Sequence, residues 1–234
     1  MSRISKAFAH KEAFIGYLTA GDADKERFLS LLKLGVNVLE VGIPFSDPIA
    51  DGPVIQEAMQ RALQAGMTPE KALHLVSDLR KETEAAIVLF TYFNPIQRDL
   101  KGFLTKAKQA GADGILIIDL PLEEAGGYRA FCREAGLAPI FVIAPSTPLE
   151  RIAQIARDAD GFLYYACRKG TTGARCGLPA DLADKIAQIR THSRLPIAVG
   201  FGIQSRETAQ EILKIADGFV VGSYFVQQKE DVCF

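Results

Sequence analysis

Eight times along this chain a short apolar run gives way to a longer stretch with helical spacing. The runs are Ala13–Thr19, Val38–Val41, Ala86–Tyr92, Gly114–Ile118, Ala138–Ile143, Gly161–Tyr165, Pro196–Gly200 and Gly218–Val221. Several are continuously apolar instead of alternating, as parallel strands covered by helices on one face and core on the other must be. Between them lie the helical segments Ala23–Lys33, Ile55–Ala65, Pro69–Lys81, Lys101–Ala110, Glu124–Ala135, Pro148–Ala156, Pro179–Thr191 and Ser205–Ile215. Pro69, Pro148 and Pro179 stand near helix starts, where a missing N–H costs little, and Thr68, Thr147 and Ser205 are suited to cap them. Eight strand–helix units predict a (β/α)8 TIM barrel, with an open doubly wound sheet as the alternative. No low-complexity or charge-rich segment divides the chain, so a single domain over 1–234 is expected. After Gly222-Ser223 only Tyr224–Phe234 remain, barely enough for a shortened C-terminal helix.

Charge and residue usage remove several kinds of chemistry. The formal net charge is -1, so no positive field draws the protein to nucleic acid or anionic lipid. No apolar run approaches the ~18 residues of a membrane span, and Met1–Lys6 lacks the apolar core of a signal peptide. A cytoplasmic location is expected. Cys132, Cys167, Cys176 and Cys233 form no C-x-x-C pair and no cluster with histidine, which predicts free thiols and no metal site. His10, His74 and His192 all fall away from the C-terminal ends of the predicted strands. Acid–base work therefore falls to carboxylates or tyrosine.

Barrel active sites lie at the C-terminal ends of the strands. The second strand runs into Leu39-Glu40-Val41-Gly42-Ile43-Pro44-Phe45-Ser46-Asp47-Pro48-Ile49-Ala50-Asp51-Gly52-Pro53. Alternation sets Val38, Glu40 and Gly42 on one face and Leu39 and Val41 on the other, which sends Glu40 into the barrel mouth. A carboxyl isolated there tends to stay protonated and can serve as a general acid. The competing explanation is a structural Glu paired with an Arg or Lys of a neighbouring strand. Asp51, before Gly52-Pro53 and a helix, reads as a turn or cap aspartate when taken alone. Its long loop, with Asp47 and further prolines, is more than a turn requires, and two carboxyls in different surroundings suit an acid and a base. Gly-rich segments close strands six, seven and eight: Arg168–Gly173, Gly200-Phe201-Gly202 and Gly222-Ser223. Three in succession point to a phosphate held by backbone N–H groups. Of Tyr164 and Tyr165, one faces the mouth and the other the helices. Phe90, Tyr92 and Phe93 are candidates for an apolar wall, with plain packing the better reading of Phe90.

Taken together these segments resemble the tryptophan synthase α subunit family. The resemblance is carried by Leu39–Gly42, Pro44–Pro48 and Ala50–Pro53. Gly21-Asp22, Asn94-Pro95, Asp119-Leu120-Pro121, Thr172-Gly173, Gly200–Ile203 and Gly222-Ser223 carry it further. It spans nearly the whole chain in order, and departs at Thr171, where Val is usual, and at Cys176. It implies cleavage of indole-3-glycerol phosphate to indole and glyceraldehyde 3-phosphate, with Glu40 and Asp51 catalytic. It implies Tyr164, Tyr92, Ile55 and Thr172 at the substrate, and Gly173, Gly202, Gly222 and Ser223 at its phosphate. Pro44 and Asp47 would meet a partner, the β subunit, in an αββα heterotetramer. Pyridoxal phosphate would belong to that partner, with no cofactor in this chain. Two other readings stay open: a catalytically weakened subunit that mainly activates β, and a different phosphate-binding barrel such as a sugar-phosphate isomerase.

Overall fold

A computed structural model of the chain describes residues 1–10, 12–166, 178–200, 202–203 and 205–228. The eight strands are β1 Ala13–Thr19, β2 Val38–Gly42, β3 Ala86–Thr91, β4 Gly114–Ile117, β5 Ala138–Ile143, β6 Leu163–Ala166, β7 Ile197–Gly200 and β8 Gly218–Val221. They run parallel in sequence order, and β8 pairs back onto β1 with Ala13 level with Gly218. That closure decides for the barrel over the open sheet. The helices are α1 Arg3–Ala7, α2 Lys25–Lys33, α3 Pro53–Gln64, α4 Pro69–Glu82, α5 Leu100–Ala110, α6 Gly126–Ala135, α7 Leu149–Asp158, α8 Leu182–Arg190, α9 Arg206–Leu213 and α10 Ser223–Gln227. The last, as described, spans five residues.

Register fixes which side chains face inward. Residues paired across a parallel sheet share a face, and the face recurs every second residue. Tyr17 is level with Glu40, Glu40 with Val88, Val88 with Gly114 and Gly114 with Ala138. Val142, four residues further on, is level with Tyr164, and Tyr164 with Ala198. Ala198 is level with Gly218 and that with Ala13, which returns the same face to β1. Gly16, between two of these positions, has the other face: a Cβ there would meet Leu31 of α2 at 2.9 Å. Tyr17, Glu40 and Tyr164 therefore all point into the barrel.

The N-terminal end of the barrel is sealed. Helix α1, which periodicity did not reveal, lays Ile4 beside Gly114 and Gly161, and Phe8 against Phe162 with ring centres 5.1 Å apart. Three residues that immediately precede strands clamp the neighbouring strand. Asn37 Oδ1 accepts from Phe14 N, Asp113 Oδ2 from Ile87 N and Asp217 Oδ2 from Ile197 N, at 2.9–3.0 Å. Arg80 pairs with Asp113 at 2.9 Å and Arg190 with Asp217 at 3.0 Å.

Thr68 and Ser205 cap α4 and α9 through their side chains, and Pro69 takes the first turn of α4. Thr147 does not cap α7. Pro148 holds the capping position in an extended conformation, and the Thr147 hydroxyl turns back to accept from Ala144 N at 3.0 Å. Strand six starts two residues later than the apolar run, because Gly161 sits at φ 77° in a turn closed by Asp160. Helix α8 starts three residues after Pro179, whose carbonyl accepts from Leu182 N.

Candidate active site

Glu40 lies on β2 with 1% of its surface exposed, level with Tyr17 on one side and Val88 on the other. Its Oε1 has no hydrogen-bond partner, and among the described residues no Arg or Lys pairs with it. The structural-pair explanation therefore has no counter-ion among them. Burial, reinforced by the nearby Asp51 charge, raises the Glu40 carboxyl to about 8. A buried acid without a cation holds its proton, because the ionised form loses water and gains nothing in return.

Asp51 comes to the same place from the β2–α3 loop. The cap reading does not hold: Gly52 occupies the capping position of α3, and Pro53 opens the helix. The loop closes through Asp51 N to Pro48 O, and Gln56 Nε2 donates to Asp51 O at 2.8 Å. The side chain is thereby turned inward, where Tyr92 Oη donates to Asp51 Oδ2 at 2.7 Å. Burial lifts this carboxyl to about 6, and the Tyr92 hydrogen bond holds it from rising further. The two acids are thus separated in strength by surroundings alone. At neutral pH one is protonated and the other ionised.

Tyr92 is more than part of an apolar wall. It is fully buried, its hydroxyl accepts from Ala50 N at 3.0 Å, and its ring packs on Phe45 with centres 5.1 Å apart. Tyr92 thus ties the exposed loop to Asp51. On that loop Pro44 is buried while Ser46 and Asp47 are exposed, and Ile49 is 70% exposed. Phe90 stands on the inner face, as a packing residue edge-on to Tyr17 at 5.5 Å. Tyr164 is buried, and a Cβ on Gly200 would fall on its hydroxyl. Ile55, on the first turns of α3, is buried beside Gly222, where an added Cβ would meet Ile55 Cδ1 at 3.9 Å. Gly222 and Ser223 open α10, and Gly202 lies at φ 81°, a conformation that favours glycine. Thr172 and Gly173, with Thr171 and Cys176, lie outside the described residues. The inward-facing residue that the sequence reading passed over is Tyr17. Its signal was present in the alternation Ile15-Tyr17-Thr19 and in the bare Gly42 beside it.

Cys132 is buried in α6, and burial pushes its thiol up to about 12, which makes it an inert packing group. Among the described residues no group of three or more His, Cys, Asp or Glu could hold a metal, and no helix is long and apolar enough to cross a membrane.

A closed (β/α)8 barrel with two buried carboxyls of unequal strength, one on β2 and one in the loop after it, has the form of an enzyme barrel. Comparison with known proteins narrows that class. The sequence model of the family described as "Tryptophan synthase alpha chain" matches residues 5–232. The chain is 49% identical over 231 residues to the tryptophan synthase alpha chain of Coxiella burnetii (strain CbuK_Q154), covering 97% of this chain and 90% of that one. It is 43% identical to that of Opitutus terrae, covering 97% and 89%. Among solved structures, the tryptophan synthase α2β2 complex of Pyrococcus furiosus superposes with a TM-score of 0.85 at 43% identity, over 92% of this chain and 89% of that one. Mycobacterium tuberculosis tryptophan synthase gives 0.90 at 34% identity, over 97% and 90%. The chain belongs to the tryptophan synthase alpha chain family.

Proposed function

We propose that the chain cleaves indole-3-glycerol phosphate by a retro-aldol reaction, releasing indole and glyceraldehyde 3-phosphate. The observation that carries this is the split between Glu40, raised to about 8 with no partner on Oε1, and Asp51, held near 6 by Tyr92. Glu40, protonated at neutral pH, donates to C3 of the indole ring and turns it into an electron sink. Asp51, ionised, accepts the ring N–H and stabilises the positive charge that develops there. The C3–C3′ bond then breaks. Its electron pair returns to the ring, and the side-chain hydroxyl becomes the aldehyde as its proton passes to the Glu40 carboxylate. Glu40 ends the cycle protonated, so protons balance without an external base. Each positioned transfer contributes about 10²–10⁴-fold.

In this reading Ile55, Tyr92 and Tyr164 bound the ring, joined by Thr172. Gly202, Gly222 and Ser223, with Gly173, hold the phosphate through backbone N–H groups. Asp47 and the exposed part of its loop meet a β subunit in an αββα assembly, as in the relatives whose α2β2 complex is solved. The Phe45–Tyr92–Asp51 contact is the route by which that partner would tighten the site. The reaction needs no cofactor in this chain, and pyridoxal phosphate is assigned to the partner. The isomerase alternative lacks support, since Glu40 and Asp51 suit an aromatic electron sink and the family match covers residues 5–232.

The test is indole release from indole-3-glycerol phosphate, with and without β, beside turnover of ribulose phosphates. Indole release, stimulated by β, is expected. Stimulation of β without any indole release by this chain would favour the weakened-activator reading, and ribulose phosphate turnover the isomerase. In the same assay Gly202→Val is expected to raise KM more than it lowers kcat, since the strained φ and added bulk act on the phosphate anchor.

A further inference from the structure

Tyr17 and Tyr164 occupy the same kind of slot on opposite parts of the barrel. Each points inward, and each hydroxyl lies over the bare Cα of a glycine on the next strand, Gly42 for Tyr17 and Gly200 for Tyr164. In both cases that glycine is level with the residue two places beyond the tyrosine, Thr19 and Ala166. The slots differ in what stands level with the tyrosine itself. For Tyr164 it is Ala198, and for Tyr17 it is Glu40.

Tyr17 is 3% exposed and its ring is fixed by Phe90, edge-on at 5.5 Å. Among the described residues its hydroxyl pairs with the Thr19 hydroxyl, at 3.2 Å, which is long for an O–H···O bond. Asp51, Glu40 and Tyr92 are the titratable groups that face it. Burial, together with the charges of Asp51 and Glu40, keeps the phenol neutral well above the ordinary range, so it remains an O–H donor throughout. Tyr92 already donates to Asp51, whereas Glu40 Oε1 has no donor.

We propose that Tyr17 is a positioning residue for the cleavage step: seated on Gly42 and loosely tied to Thr19, its hydroxyl turns to donate to the Glu40 carboxylate when Glu40 gives up its proton. This rests on the cleavage reading above. While Glu40 is protonated, the Tyr17 O–H stays with Thr19. Once the proton has passed to the ring, the buried carboxylate attracts a neutral O–H donor, and Tyr17 stands level with it on β1. When the carboxylate takes the substrate hydroxyl proton, Tyr17 returns to Thr19. No proton leaves Tyr17, and no further reactant is needed.

The experiment uses the full chain with β, comparing wild type, Tyr17→Phe and Thr19→Val. Indole release is measured across pH. In parallel, infrared difference spectroscopy follows the protonated-carboxyl band of Glu40, assigned by its loss in Glu40→Gln. Tyr17→Phe is expected to fold normally and lower kcat about ten- to a hundredfold, with KM little changed. Losing a donor to the ionised form should also move the Glu40 titration and the alkaline limb of the rate up by about one pH unit. Thr19→Val frees the hydroxyl and should leave kcat within about threefold of wild type. An unmoved band and limb in Tyr17→Phe, whether or not kcat falls, would overturn the proposal. A wild type that releases no indole overturns the cleavage reading instead, and the band titration still decides whether Tyr17 reaches Glu40.

Discussion

The two ends of the barrel treat the same chemical group in opposite ways. At the N-terminal end Asp217 is buried and Asp113 partly so, and each accepts from a backbone N–H and pairs with an arginine. At the C-terminal end Glu40 is buried with no cation among the described residues, and Asp51 accepts there from a tyrosine hydroxyl. Carboxyls with such partners stitch strands together. Those without a cation are pushed up towards neutrality, which suits the proposed chemistry. One end of the fold holds the strands together, and the proposed chemistry falls at the other.

The sharpest way to break this comparison is to neutralise the reactive end. Glu40→Gln is expected to lower indole release by ~10²–10⁴-fold or more while the far-ultraviolet spectrum stays that of the wild type. Asp51→Asn should do the same to a lesser degree, because the amide still accepts from the ring N–H. Either variant at full rate would mean that these carboxyls are not the reagents.

At the holding end the effect should fall on stability. Asp113→Ala removes the acceptor of the Ile87 amide and of Arg80 Nη2, while Arg80 keeps the carbonyls of Gly111, Thr83 and Ala85, and is expected to cost about 2 kcal/mol in urea unfolding, with kcat per folded molecule unchanged. A loss of kcat in the fraction that remains folded would mean that the two ends are not separable.

A subtler expectation concerns pH. The Glu40 and Asp51 carboxyls are raised in the folded chain, from 4.5 to about 8 and from 3.8 to about 6. The folded state therefore binds more protons than the unfolded state in this window, and stability falls as pH rises. Their contribution is complete below the unfolded values and lost progressively up to about 8. Glu40→Gln should thus be more stable than wild type at pH 8 by on the order of a few kcal/mol, and nearly equal to it at pH 4.5. Thermal melting at the two pH values checks the sign, and equal gains at both would refute it. The kcat/KM profile should be bell-shaped, with limbs near 6 and near 8.

The smallest effect is expected at the loop. Asp47→Ala removes an exposed charge that touches neither carboxyl. It should leave the isolated chain's indole release unchanged and reduce the stimulation by β a few-fold, which titration of the variant with β would read. Unchanged stimulation would place the partner elsewhere.

Most of the barrel was legible in the linear pattern. Strand runs buried on both faces are continuously apolar, and capping chemistry at Thr68 and Ser205 is local. Alternation alone was enough to turn Glu40 inward. The errors fell where a side chain had two local options, as at Thr147, or where a glycine's φ cut a strand short, as at Gly161. Helix α1 escaped because five residues hold too few turns for periodicity to show.

The sequence by itself determined the barrel's repeating units, the face of Glu40 and the family. Where the Asp51 carboxyl and the Tyr17 hydroxyl sit was decided only by the closed sheet. Asp51 is a turn residue until Tyr92, 41 positions away in the chain, reaches its carboxylate. Tyr17 is an ordinary strand tyrosine until the register sets it level with Glu40 and lays its hydroxyl over Gly42. A carboxyl's strength depends on the dielectric and donors around it, and those come from strands distant in sequence. Local pattern can say that an acid faces inward, whereas only the neighbours that folding brings to it settle whether it holds its proton.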